Sequence, residues 1–82
     1  MMTERKKSLL RDLVENRAPE SCGLAEAFIS GTALTDPQTE LLVNLINDEF
    51  LARGINADFE PNALGHELEA LLDDVNRSRL GR

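Results

Sequence analysis

The sequence predicts an all-α fold, a compact four-helix bundle with short connections, and three observations lead to it. Apolar residues recur at the helical period in four separate stretches. Residues that start and stop helices punctuate the boundaries between those stretches. Nothing alternates with period two over a useful length, so no strand is expected. The 82 residues form one small domain, 1–82.

The elements follow in order. Thr3 caps a first helix that runs to about Arg17, with Leu9, Leu10, Leu13 and Val14 on one stripe. The bend at Ala18-Pro19 starts a second, short helix, because proline fits a first helical turn. Its inner face is Cys22, Ala25, Phe28 and Ile29, and Gly31 stops it. Thr35 or Asp36 caps a third helix with Pro37 at its first position, Gly54 at its end, and Leu42, Leu45, Ile46 and Phe50 inside. Ile55 to Glu60 is a loop whose Ile55 and Phe59 are expected to tuck into the core. Pro61 or Asn62 opens the fourth helix, carrying Leu64, Leu68, Leu71, Leu72 and Val75.

Composition narrows the function. Hydrophobic residues make up 41% of the chain, but there is no Trp or Tyr and only three Phe, so the core is aliphatic. A domain this size buries only about 60% of its unfolded surface, and homodimerisation would relieve so thin a core. The single Cys22 excludes an internal disulfide and favours a reducing cytoplasm. No apolar run approaches the roughly 18 residues of a membrane span. The opening MMTERKK has the charge of a signal peptide without the apolar stretch that would follow it. A cytoplasmic protein is expected.

Charge is unevenly spread. The net charge is −6, yet residues 18–76 hold twelve acids and one base, Arg53, a net −11. The other bases lie at the ends: Arg5, Lys6, Lys7, Arg11 and Arg17, then Arg77, Arg79 and Arg82. Such a field attracts basic surfaces and opposes nucleic acid. No aromatic residues interleave with the basic ends, which are read as solvating a helix.

Many acids have a local reason. Glu4, Glu20, Asp36, Glu40 and Glu60 fall near helix starts, where the dipole favours them by roughly 0.3–1 kcal/mol each. Asp48 and Glu49, late in the third helix, and Asp73 and Asp74, late in the fourth, lie where the dipole disfavours anions. Pairs from Glu49 to Arg53 and Asp73 to Arg77 relieve two of them by roughly 0.2–0.5 kcal/mol each. Asp48 and Asp74 have no such local partner, and local rules broken without compensation point to function. At about 100° per residue, Glu40, Asn44, Asn47, Asp48 and Leu51 share the outer face of the third helix, stranding Leu51 among polar residues. On the fourth, His66, Glu69 and Asp73 point away from the leucine stripe. The expected partner-binding set is therefore Asp48, Glu49, Leu51, Asp58, Phe59, Glu60, Glu69, Asp73 and Asp74.

Catalytic and metal readings find little support. His66-Glu67 resembles the start of a zinc-protease motif, but Ala70 stands where the second histidine belongs. One His and one Cys cannot build an ordinary zinc site. Cys22 lacks a neighbouring base, and no glycine-rich phosphate loop or calcium-loop spacing occurs. No catalytic residue, metal or cofactor is expected.

With this character, four stretches resemble the immunity proteins of bacterial toxin systems, both colicin-type inhibitors and those of contact-dependent and other polymorphic toxins. They are Ala33-Leu34-Thr35-Asp36-Pro37 leading into Leu41-Leu42-Val43-Asn44, Asp48 through Gly54, Glu60-Pro61-Asn62, and Gly65-His66-Glu67-Leu68-Glu69. The resemblance covers about half of the chain. It implies a non-catalytic inhibitor that neutralises a basic toxin domain of nuclease type, since a nuclease needs a basic cleft for its substrate. A homodimeric adaptor and a nucleic-acid mimic are the competing expectations; a chain this compact offers a mimic only a short strip of acids.

Overall fold

A computed structural model describes residues 3–80 of the chain, with side chains through Arg77; Arg79 and Arg82 of the basic C-terminal end lie outside the described side chains. Four α-helices carry the fold: α1 Glu4–Arg17, α2 Cys22–Ile29, α3 Asp36–Arg53 and α4 Ala63–Leu80, with a short 3-10 turn, Pro19–Ser21, ahead of α2. The described residues form an all-α bundle, as the periodicity predicts.

Local chemistry explains the boundaries. The Thr3 hydroxyl accepts from the Lys6 amide at 3.2 Å and caps α1. Pro19 begins the 3-10 turn, which delays α2 to Cys22. Gly31, at φ 84°, ends α2 in the left-handed conformation that glycine adopts freely. There the Thr32 amide reaches the Ala27 carbonyl at 2.9 Å and the Gly31 amide reaches Phe28 at 3.1 Å. At α3 Thr35 is the cap, and Gln38 reaches back to the Thr35 amide at 2.9 Å to complete a capping box.

The core joins Leu9, Leu10, Leu13 and Val14 of α1 to Leu42, Leu45 and Ile46 of α3 and Leu68, Leu71 and Val75 of α4. Helices α3 and α4 make an antiparallel hairpin, α1 lies across it, and α2 packs on α1. At the hairpin's closed end Asn62 holds both helices. Its side-chain oxygen accepts from the Gly65 amide at 2.8 Å, and its side-chain nitrogen donates to the Arg53 carbonyl at 2.9 Å. Gly54 and Gly65 meet there backbone to backbone, with a Cβ on Gly54 falling 3.0 Å from the Gly65 Cα.

The connection between α3 and α4 corrects one expectation. Ile55 is half-buried and pairs with Pro61 in an isolated antiparallel bridge, but Phe59 does not enter the core. The loop is closed by the Asn56 amide on the Glu60 carbonyl at 2.8 Å and the Phe59 amide on the Asn56 carbonyl at 2.9 Å. That closure turns Phe59 to φ 67° and leaves it 87% exposed. A left-handed phenylalanine costs roughly 1–2 kcal/mol. Phe59→Gly is therefore expected to leave stability unchanged or raise it by up to about 1 kcal/mol in urea unfolding. A loss of about 3 kcal/mol, the usual cost of deleting a buried phenylalanine, would instead return the ring to the core.

Candidate protein-binding face

The basic N-terminal helix does more than solvate itself. Arg5 donates to both oxygens of Glu67 on α4, and Lys6 lies 2.9 Å from Asp74 on the same helix. Arg11 binds Glu26 of α2 at 2.7 Å, and Arg17 binds Glu49 of α3 at 2.7 Å. Thus α1 ties itself by ion pairs to each of the other three helices, alongside its apolar stripe.

This pairing corrects the expected binding set at two positions. Glu49 is a buried residue, its side chain 3% exposed, and not a surface group. Arg17 takes one carboxylate oxygen; Arg53 takes the other through both its Nε, at 2.7 Å, and its Nη2. Arg17 also donates to the Asp48 carbonyl at 3.3 Å. Asp74, which has no opposite charge four residues along its helix, has two partners. Its side chain is 10% exposed between Lys6 and Arg77, the latter at 3.6 Å, so Arg77 turns to Asp74 in place of Asp73. Neither carboxylate is open to a partner, because cations from this chain already cover both.

The paired carboxylates respond to their cations. Hydrogen bonds from Arg5 and Arg11 hold Glu67 and Glu26 below the usual carboxylate range. At Glu49 burial pulls upward, but the hydrogen bonds and charges of Arg17 and Arg53 outweigh it, and this carboxyl too sits below its ordinary value. A carboxyl depressed in the folded state contributes stability that is complete above its unfolded pKa, about 4.3. That stability is lost as pH falls through the folded value. Thermal melts are expected to be flat between about pH 6 and 8 and to fall steeply below about pH 4.5. A melting temperature that rose on acidification would contradict the pairing.

What remains is an unpaired set. Among the described residues, Asp48, Asp58, Glu60, Glu69 and Asp73 form no salt bridge within 4.0 Å. Asp58 and Glu60 flank Phe59 at the loop tip, where the Asp58 carboxylate accepts from the Glu60 amide at 3.2 Å. Leu51 is 70% exposed. Glu69 lines an open cleft between α3 and α4 whose floor is Ile46, Phe50, Leu68 and Leu72, with Asn47 on its wall. Leu51 stands one helical turn from Asn47, and Asp73 one turn from Glu69; because the two helices are antiparallel, Leu51 lies toward the closed end of the hairpin and Asp73 toward the open end. Asp48 points about 100° further round α3 than Asn47, away from the cleft. Of the expected set, only Glu69 lines this apolar opening; Asp58, Phe59 and Glu60 lie together at the hairpin's end, and Asp48, Leu51 and Asp73 are exposed on the outer faces of α3 and α4.

Periodicity assigns Phe50 and Leu72 to the core; both do pack against it, but half-buried, so that they also line the cleft. The signal available was width: the apolar arcs of α3 and α4 are broader than one packing partner needs. Among the described residues no three potential metal ligands lie together, and no helix is long and apolar enough to cross a membrane. His66 is exposed and Cys22 half-buried. Compared with known protein families, curated proteins and solved structures, the chain matches none of them.

Proposed function

We propose that this chain is a small non-catalytic inhibitor of the immunity type. It is a cytoplasmic bacterial protein that captures a basic partner, a nuclease-type toxin domain, by protein contact. The observation that carries the reading is the division of the acids. Glu26, Glu49, Glu67 and Asp74 are paired with cations of this chain, while Asp58 and Glu60 flank the exposed Phe59 without an ion pair and Glu69, Asp73 and the exposed Leu51 lie unpaired on the outer sides of the hairpin. Apolar anchors supply tight binding when desolvated. Surrounding acids steer a basic partner inward and raise association toward about 10⁸–10⁹ M⁻¹s⁻¹ at low salt.

Co-expression with candidate nuclease toxin domains, scored by growth, tests this reading. Rescue by the native chain is expected to disappear when Asp58, Glu69 and Asp73 are reversed to lysine together. Association with the rescued toxin is expected to slow at least about tenfold as salt rises from about 0.01 to 0.5 M. Rescue that survives the triple reversal, or a salt-independent rate, would remove the face from the mechanism.

The exposed Leu51 also favours a homodimeric adaptor. Sedimentation at micromolar concentration separates the two readings. A monomer is expected for the inhibitor, whereas a dimer dissolved by Leu51→Asp would support the adaptor.

A further inference from the structure

The α3/α4 hairpin already holds one basic amphipathic helix, its own α1. That helix lays Leu9, Leu10, Leu13 and Val14 against the hairpin and flanks them with Arg5, Lys6 and Arg17, which bind Glu67, Asp74 and Glu49. On α3, Glu49 lies about 100° from Phe50, and Asn47 lies on the other side of Phe50 from Glu49. On α4, Glu67 and Asp74 lie on the opposite flank from Glu69 and Asp73. The flank of the hairpin away from α1 thus carries a shallower opening, with the half-buried Phe50 and Leu72 at its surface, the fully buried Ile46 and Leu68 beneath them and the Glu69 carboxylate beside it. α1 covers the other flank; no described helix of the chain lies over this opening.

We propose that this cleft receives a basic amphipathic helix of the partner, so that the hairpin becomes the middle layer between two such helices. The inference rests on the reading of the chain as a protein-binding inhibitor and names the element it would grip. Charge selects the occupant, because Glu69 and Asp73 stand one turn apart, about 6 Å along the helix axis, and match lysines or arginines at the same spacing. Backbone chemistry selects its form. Helices α3 and α4 satisfy their own backbone groups and present only side chains, so an extended segment would find no edge to pair with. A helix brings its backbone already satisfied and offers leucine-type anchors at i, i+3 or i+4, and i+7 to the half-buried Phe50 and Leu72. A second copy of this chain fits poorly, because its own basic helix is already committed to its own hairpin by ion pairs.

The test uses the full chain, isotope-labelled, and a synthetic peptide of about 16 residues, roughly 24 Å of helix. The peptide carries a leucine stripe and a lysine face, with blocked ends. Two controls keep the stripe with glutamates in place of lysines, or keep the composition with the order shuffled. The lysine peptide is expected to bind with one-to-one stoichiometry and to shift the NMR signals of Asn47, Phe50, Leu51, Glu69, Leu72 and Asp73. Its affinity is expected to fall at least about tenfold for Glu69→Lys/Asp73→Lys and for Leu51→Asp, and to stay within about twofold for Glu15→Lys/Glu20→Lys, whose sites are exposed and remote. Equal binding of the shuffled peptide, or shifts centred away from the cleft, overturns the proposal. Toxin rescue that survives Glu69→Lys/Asp73→Lys overturns the cleft while leaving the inhibitor reading intact. Mapped peptide binding with no toxin rescued supports the cleft and overturns the inhibitor reading.

Discussion

Gly65→Val is expected to destabilise the chain by more than about 3 kcal/mol, lowering its melting temperature by roughly 12–24 °C. A Cβ on Gly65 would overlap the Gly54 carbonyl oxygen and would fall 3.1 Å from the Gly54 carbonyl carbon and 3.2 Å from the Pro61 Cβ. The obstructing atoms are mostly backbone, so no rotamer change relieves them, and α3 and α4 must separate where Asn62 binds both. Gly65→Ala meets the same carbonyl oxygen. Its gain in helix propensity, about 1 kcal/mol, opposes an overpacking cost of about 1–3 kcal/mol, so a smaller loss is expected. Gly23 is the control: a Cβ there meets nothing within 4 Å, and Gly23→Ala in α2 is expected to stabilise by up to about 1 kcal/mol. Urea unfolding of the three variants measures the series, and a Gly65→Val chain as stable as the native one would rule out the close crossing.

The second large effect lies at Glu49. Replacing Arg17 and Arg53 together by methionine keeps aliphatic cover over the carboxylate and removes both cations. At pH 7 this is expected to cost about 3 kcal/mol, because a covered carboxylate then lacks a counter-charge. Replacing both by alanine is expected to cost less, since Arg17 and Arg53 themselves form much of the cover and water would enter. The two variants also differ in the sign of their pH response. With methionines, desolvation alone acts on Glu49 and raises its folded pKa above the unfolded value. Stability of that variant should therefore rise as pH falls through that raised value toward the unfolded one, about 4.3, whereas the native chain gains nothing on acidification. Adding Glu49→Leu to the methionine pair removes the stranded charge and is expected to recover most of the loss. If the methionine pair melted like the native protein, Glu49 would not be a structural ion.

Legibility followed distance along the chain. Thr3, Thr35, Gly31, Pro37 and Asn62 announce helix ends because a cap acts on amides within a few residues of itself. The pair Glu49–Arg53 was visible for the same reason, since four residues in a helix make neighbours. Phe59 was misplaced because an isolated aromatic beside a loop resembles a core residue. Only the closure of the Ile55–Pro61 bridge forces its backbone left-handed and its ring outward. The binding set lost Glu49 and Asp74 because Arg17 is 32 residues from Glu49 and Lys6 is 68 from Asp74. No periodicity connects residues so far apart.

By itself, the sequence determined the helical class, the four helices with the cap of the first, and the aliphatic faces that had to be buried. All of these follow from interactions reaching at most about one helical turn. It also determined that a strongly acidic middle sits between basic ends, but not what that separation does. The tertiary structure decided it by laying the basic α1 across the hairpin, where Arg5, Lys6 and Arg17 meet Glu67, Asp74 and Glu49. Oppositely charged groups far apart in sequence come within hydrogen-bonding distance only when packing of the apolar stripes sets the helix order. The same packing determines which acids remain unpaired and leaves one flank of the hairpin open.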